Sequence, residues 1–405
     1  MVAPAKLGYL VPQFPGQTHI FFWREIRELE NRGIEPVLFS TRPPPPGLIA
    51  HGWSDEAAAR TQYLGRIAPV DTLAALPALP WRRLLRLGRG EPLQFWKDVA
   101  IAAGAARALR RRCRAEGIGH VHAHSCGRAA LIAALCHAMG GPPYSLTLHG
   151  PLADYGPGQR FKWSGAAFAT IITRKLIDEM RAEMPDALPG RIMLQPMGVD
   201  TDRLARETPY LPPDPGGPVR LFSCARLNVV KGHEDLLAAI RQLHDVGRDV
   251  TLRIAGEDDA GGTGYRLTLE ARIAELGLGK AVTLLGAIDG DAVREELLSA
   301  HIFVLASYGE PLGVAYMEAM SCEVPTIGTD AGGVPELITD GTDGRLVPPR
   351  DPDALAAAIT EIADTPDLAL RFSARGRIRV VEGFRAGLGA ETLIRGAFGD
   401  HVSGS

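Results

Sequence analysis

From one end of the chain to the other, short runs rich in β-branched and aromatic residues alternate with stretches whose apolar positions recur at helical spacing. A helix between two strands of one sheet returns the chain to its starting end, so the strands run parallel and both sheet faces are covered. That excludes all-β sandwiches and helical bundles and points to an α/β fold. In the first half, strands are expected at 6–11, 36–40, 119–123, 144–148, 170–173 and 192–195. A helix is expected over 20–32, with Ile20, Trp23, Ile26 and Leu29 on its apolar face. In the second half, strands are expected at 219–223, 251–255, 282–285, 302–306 and 326–328. Residues 41–90 show little periodicity apart from a stiff proline run at 43–46.

At 405 residues the chain exceeds what one hydrophobic core organises, and 46% hydrophobic with 22% charged residues excludes disorder. Residues 208–218 contain five prolines, the composition of a linker. The expected organisation is an N-terminal domain at 1–205, a linker at 206–218 and a C-terminal domain at 219–387. A last helix, about 388–405, can pack back on the first domain. Two such parallel-sheet domains create a cleft where the carboxyl ends of their strands meet, the usual place for ligands in open α/β sheets.

Net charge is −3, but residues 1–200 carry 24 Lys and Arg against 16 Asp and Glu, whereas 201–405 carry 20 against 31. A basic first half suits an anionic surface or substrate. No signal-peptide pattern or run of about 18 uncharged apolar residues is present, and the five cysteines lack a C-x-x-C pair. A cytoplasmic enzyme with reduced thiols is expected.

Motifs that carry chemistry concentrate at strand ends in the second half. After the strand at 302–306 comes a Gly/Pro turn, then a helix expected to start near Leu312 with Pro311 at or before its first turn. The amides of Gly313 and Val314 would then sit at a helix N-terminus, suited to phosphate or a hydroxyl. Glu310 and Glu318 flank that terminus and can accept hydrogen bonds from vicinal diols. After the strand at 219–223, Arg226 and Lys231 can clamp a diphosphate whose charge grows as it leaves. Gly256, after the strand at 251–255, and Gly332-Gly-Val-Pro-Glu336 add further glycine-bearing loops.

Together, Arg226-x4-Lys231-Gly232, Ala255-Gly256-Glu257, the E-x7-E pair Glu310/Glu318 and Gly332-Gly-Val-Pro-Glu336 resemble the retaining glycosyltransferases of family 4, whose fold is GT-B, two Rossmann-like domains facing across a cleft. In the first half, Phe14-Pro-Gly-Gln-Thr-His-Ile20, His120-Val-His-Ala-His124, His149 and Met197-Gly-Val-Asp-Thr-Asp-Arg203 are similar to members that build bacterial exopolysaccharide. The resemblance implies catalytic roles for His149, Arg226, Lys231 and Glu310, with Glu310 on the transferred sugar and the two cations on the leaving diphosphate. It implies donor binding by Gly16, Gly256, Leu312, Gly313, Val314 and Glu318, the last on the ribose. It further implies a nucleotide-diphosphate sugar as co-substrate, no metal or other cofactor, and front-face attack in which the leaving phosphate takes the acceptor proton. Two departures stand out. Pro311-Leu312-Gly313 replaces the frequent Gly-Phe-Gly, and Gly16-Gln-Thr-His19 replaces Ser-Glu-Thr-Phe, so neutral Gln17 stands at an acidic position.

His120, His122 and His124 alternate along one strand and share a face, which suits a metal, a cleft lining or plain sheet packing. Asp200-Thr-Asp202 reads as a turn or cap rather than a metal-binding pair. The segment Trp81-Arg-Arg-Leu-Leu-Arg-Leu-Gly-Arg89 can set Trp81, Leu84, Leu85 and Leu87 against lipid while Arg82, Arg83, Arg86 and Arg89 meet headgroups. The expected acceptor is a glycan, lipid-linked or small molecule. A competing reading is a non-catalytic nucleotide-sugar-binding protein on the same scaffold. A dinucleotide oxidoreductase is excluded because neither half has G-x-G-x-x-G after its first strand. The arginines at 107–114 lack the aromatic interleaving of a nucleic-acid module.

Overall fold

Hydrogen bonding between parallel strands organises both halves. The computed structural model describes residues 4–16, 19–44, 52–65, 69–258 and 264–399. It divides into two compact units, one of Met1–Ile49, Trp53–Pro196 and Gly387–Ser405, the other of Ala50–Gly52 and Met197–Ala386.

The first unit carries β1 (Ala5–Gln13), β2 (Ile34–Arg42), β3 (Gln62–Tyr63), β4 (His120–His124), β5 (Tyr144–Leu148), β6 (Phe168–Ile171) and β7 (Ile192–Leu194). They form one parallel sheet in the order β3-β2-β1-β4-β5-β6-β7. Every residue of β4 and β5 is buried, as expected of central parallel strands covered on both faces. The helix Ile20–Asn31 turns Phe22, Trp23, Glu25, Ile26 and Leu29 inward, and Leu93–Glu116 lays its alanine-rich stripe, Ala102, Ala103 and Ala106, into the core.

The second unit carries β8 (Val219–Cys224), β9 (Val250–Ala255), β10 (Val282–Gly286), β11 (Ile302–Val304), β12 (Thr326–Thr329) and β13 (Arg345–Val347), parallel in the order β10-β9-β8-β11-β12-β13. Its core includes Leu221, Leu236, Ile240, Leu252, Ile254, Leu269, Ile302, Ile327, Ile359 and Phe372. Both orders are doubly wound. Each reverses direction beside its first strand, between β1 and β4 and between β8 and β11.

Several expectations need correction. The strand expected at 170–173 lies earlier, at Phe168–Ile171, because Thr173 leaves the sheet to cap the helix Arg174–Glu183, its hydroxyl accepting from Leu176 N at 3.3 Å. The short strands β3 and β13 and the helices Ser54–Arg60, Pro69–Ala75 and Trp81–Leu87 had no legible period, each being too short to repeat one. The proline run at 43–46 extends beyond the described residues. The last helix, Ala386–Phe398, contacts the first unit: Arg32 Nη2 donates to Glu391 at 2.9 Å, and Thr392 Oγ1 to Gln195 Oε1 at 2.8 Å.

Close loop packing beside β8 and β11 rests on Gly232, which has φ +64° and whose absent Cβ would lie 2.0 Å from the Ala306 carbonyl oxygen. Gly232→Ala is expected to destabilise the protein by at least about 1–3 kcal/mol from the left-handed backbone alone. A thermal midpoint within error of wild type would contradict this.

Candidate functional site

In the second unit, the loops that follow β8 and β11 are held together at the point where the sheet order reverses. Tyr308 N donates to Val230 O at 2.8 Å, Gly232 packs on Ala306, and Lys231 Nζ forms an ion pair with Glu310 Oε2. Ser307 Oγ donates to the same carboxylate oxygen at 3.1 Å. The Glu310 backbone is fixed in turn, since Gly333 N donates to Glu310 O at 2.8 Å and Glu310 bridges to Gly332. Gly332 is needed there: its φ is +65°, and a Cβ would sit 2.1 Å from Glu310 O. Side chains of Lys231 and Glu310 are 12% and 14% exposed, enough to meet a ligand yet dry enough for their charges to count.

The helix expected near Leu312 begins later, at Val314–Ser321, with Gly313 at its N-cap in a positive-φ conformation of +96°. Pro311 therefore lies before the first helical turn, within the range expected for it. Leu312 is buried, so its side chain belongs to the core. Tyr316 OH donates to Leu305 O at 2.7 Å and ties this helix to the end of β11. Glu318 lies one helical turn further and comes near Cys224 at the end of β8. Burial first, then Glu318, pushes the Cys224 thiol up to about 12. Arg226 is exposed in the loop after β8, where its carbonyl hydrogen-bonds with His233 Nε2 at 3.2 Å. Gly256, at the end of β9, has φ +146° and donates its N–H to Gly286 O at 2.9 Å. The structure thus gathers Lys231, Glu310 and Gly313 at the carboxyl ends of neighbouring strands, with Arg226 and Glu318 on the flanking loop and helix.

In the first unit the corresponding strand ends carry Gly16, His124 and His149. Gly16 O accepts from His19 N at 3.0 Å; Gln17 lies outside the described residues. Of the three alternating histidines, His120 and His122 turn their ring nitrogens to hydroxyls of β5. Ser145 Oγ sits 2.8 Å from His120 Nε2 and 2.7 Å from His122 Nδ1, and Thr147 Oγ1 lies 2.7 Å from His122 Nε2 and 2.6 Å from Thr170 Oγ1. His124 differs from its neighbours. Its Nδ1 and His149 Nε2 hydrogen-bond at 3.2 Å, and its Nε2 lies 3.1 Å from Glu25 Oε2, at ion-pair distance though outside hydrogen-bond alignment. Tyr9 OH donates to the same oxygen at 2.7 Å. Sequence reasoning missed Glu25, although a carboxylate between Phe22 and Leu29 on an apolar stripe was the available signal.

Asp200 Oδ1 accepts from the N–H groups of Asp202 and Arg203 at 3.2 and 3.0 Å, so Asp200 closes a turn. On the segment expected against lipid, Leu84 is fully buried, and Arg83 donates to Ser164 Oγ at 3.0 Å and lies over the Phe161 ring. Those two are structural and leave the exposed face. Among the described residues, no helix is long and apolar enough to cross a membrane.

Burial, then His137, pushes His120 down to about 4; burial, then His124, His120 and His149, pushes His122 well down. Both stay neutral in the fold and gain a proton on unfolding below about pH 6.5, so the native state loses stability as pH falls from that value toward 4. For His120 the loss is about 1.4 kcal/mol per pH unit within that window. Urea midpoints that decline from pH 7 to pH 5 are expected, more steeply for wild type than for His120→Gln. Parallel declines would contradict the assignment.

Residues 20–203 match the family model described as Glycosyltransferase Family 4, and residues 212–379 match Glycosyl transferases group 1. The chain is 30% identical to alpha-maltose-1-phosphate synthase of Mycolicibacterium smegmatis, over 67% of this chain and 76% of that protein. It is 26% identical to a GDP-mannose-dependent alpha-(1-6)-phosphatidylinositol monomannoside mannosyltransferase of the same organism, over 80% of this chain and 81% of that one. In fold it resembles Anabaena HepE, solved in complex with UDP and glucose, with a TM-score of 0.71, 15% identity, and coverage of 96% of this chain and 98% of HepE.

Proposed function

This chain belongs to the family 4 glycosyltransferases of GT-B fold, and from that premise we propose that it moves a hexosyl group from a nucleotide-diphosphate sugar to an acceptor hydroxyl with retention at the anomeric carbon. The observation that carries this is the Lys231–Glu310 pair at the switch point of the second sheet, where open α/β sheets bind nucleotides. A single lysine there has three donors and uses one on Glu310, leaving others for a phosphate oxygen.

In this reading Glu310 accepts hydrogen bonds from the sugar hydroxyls, Glu318 from the ribose, and Arg226 and Lys231 hold the diphosphate with the amides of Gly313 and Val314. Gly256 lets the loop after β9 approach the nucleotide, and Leu312 contributes its backbone. In the first unit, Gly16 and His149 bind substrate. The bond between the anomeric carbon and the phosphate oxygen breaks as the acceptor oxygen bonds to the same face. The acceptor proton passes to the departing phosphate oxygen, so no enzyme carboxylate need act as nucleophile. The guanidinium, the ammonium and the helix-terminal amides stabilise the leaving charge in place of a divalent ion.

With UDP-glucose and GDP-mannose as donors and EDTA present, wild type should release nucleotide in the presence of acceptor. Lys231→Ala and Arg226→Ala should each lose about 10²–10³-fold in turnover, the effect of removing one leaving-group contact. Their thermal midpoints should stay near wild type. Activity that vanishes with EDTA and returns with Mg²⁺ or Mn²⁺ would overturn the metal-free mechanism. Donor binding without turnover would favour a binding protein.

The acceptor is proposed to be presented at a membrane surface during glycan or glycoconjugate assembly, in a peripheral and cytoplasmic setting. Support comes from the helix Trp81–Leu87, which exposes Trp81 and Leu85 next to Arg82 and Arg86, with Arg89 also exposed, and from the phosphatidylinositol-linked acceptor in one relative's name. Three arginines at about 1 kcal/mol each give weak, salt-sensitive attachment. Anionic vesicles should co-sediment the protein at low salt, and Arg82, Arg86 and Arg89 changed together to Glu should abolish this. Absence of binding would favour a soluble acceptor.

A further inference from the structure

Glu25 is a buried carboxylate, 5% exposed, on the inward face of the helix Ile20–Asn31. A buried carboxyl group is costly unless it has partners, and the contacts of Glu25 lead to His149. Oε2 accepts from Tyr9 OH at 2.7 Å and lies 3.1 Å from Nε2 of His124, itself 1% exposed. The opposite ring nitrogen of His124 meets Nε2 of His149 at 3.2 Å. His149 follows directly on β5 and is a partly exposed residue.

We propose that Glu25 is a positioning residue which, through His124, fixes the tautomer of His149 so that Nδ1 is left as a hydrogen-bond acceptor for a substrate hydroxyl. The argument is one of donors and acceptors. Although the contact lies outside hydrogen-bond alignment, an oxygen 3.1 Å from Nε2 of His124 favours an N–H there over a bare lone pair, which it would repel. When His124 carries a single proton, held at Nε2, its Nδ1 is an acceptor. His149 must then donate from Nε2, and a neutral His149 carries no proton on Nδ1. Burial, with His124 and His19 nearby, pushes His149 well down, consistent with a neutral ring. The facing groups on neighbouring elements are Glu25, Tyr9, His19, His122 and the two histidines of the relay. An Nδ1 acceptor takes an O–H and repels a phosphate oxygen, so the group met by His149 is a hydroxyl of the sugar or of the acceptor. This last step rests on the substrate-binding role of His149 proposed above.

The test is ¹⁵N NMR of the full chain labelled at histidine nitrogens at pH 7.5, with the His149 signals identified by their absence in His149→Gln. In wild type, Nε2 of His149 should carry the proton and Nδ1 should not. In Glu25→Met, which removes the acceptor, both tautomers of His149 should be populated. Overturning results are a protonated Nδ1 in wild type, a doubly protonated His124, or a single unchanged tautomer in Glu25→Met. The wild-type measurement decides the tautomer even where that variant does not fold. Adding UDP-glucose and then GDP-mannose separates the two readings. A shifted Nδ1 resonance supports the hydroxyl contact, whereas unmoved His149 signals with bound nucleotide sugar sink the donor-side contact and leave the tautomer result standing.

Discussion

Parallel pairing of β8 with β11, and of β1 with β4, is the constraint on which the rest of the molecule depends. A parallel sheet places all carboxyl ends on one edge, and reversal of strand order beside the first strand splays the two loops that leave there. In the second unit those loops carry Arg226, Lys231 and Glu310. Lys231 and Glu310 are 79 residues apart in sequence and meet because two neighbouring strands end side by side. Backbone contacts between Tyr308 and Val230, and between Gly333 and Glu310, together with Ser307 Oγ on the carboxylate, then hold the pair.

The two units use opposite electrostatic strategies. Around Glu310 the charges are paired but reachable, with a cation, a hydroxyl and a helix N-terminus close by. Beneath His149 the polar groups are sealed in the sheet, and each must find a partner because water cannot supply one. Ser145 and Thr147 satisfy His120 and His122, so those two rings are spent on the fold. Among the described residues of this sheet, the His124 branch leads from buried Glu25 to His149, a partly exposed residue. A chain of this kind holds one arrangement of protons, which is useful where a sugar hydroxyl must be read rather than merely accommodated.

Legibility followed the range of the interactions involved. Strands β5, β8 and β12 announced themselves because a buried parallel strand is a continuous apolar run with turn residues on both sides. The start of the helix Val314–Ser321 was misplaced by two residues because Pro311 is compatible with a first helical turn, and only the positive φ of Gly313 shows where the helix begins. Leu84 and Arg83 looked like parts of an amphipathic surface. Leu84 is buried, and Arg83 meets Ser164 and Phe161 some 80 residues away, which no local pattern reports.

By itself, the sequence determined the α/β class, the two parallel sheets and the presence of glycine-bearing loops with Arg226, Lys231, Glu310 and Glu318 after strands. Those properties follow from local periodicity and from residue chemistry, both readable along the chain. Tertiary structure alone decided which of these residues touch, that Lys231 pairs with Glu310, that His120 and His122 are satisfied within the sheet, and that Glu25 stands behind His124 and His149. The physical reason is that hydrogen bonds and ion pairs act over about 3 Å, and such distances between residues far apart in sequence are set by strand order and register, which a one-dimensional pattern does not contain.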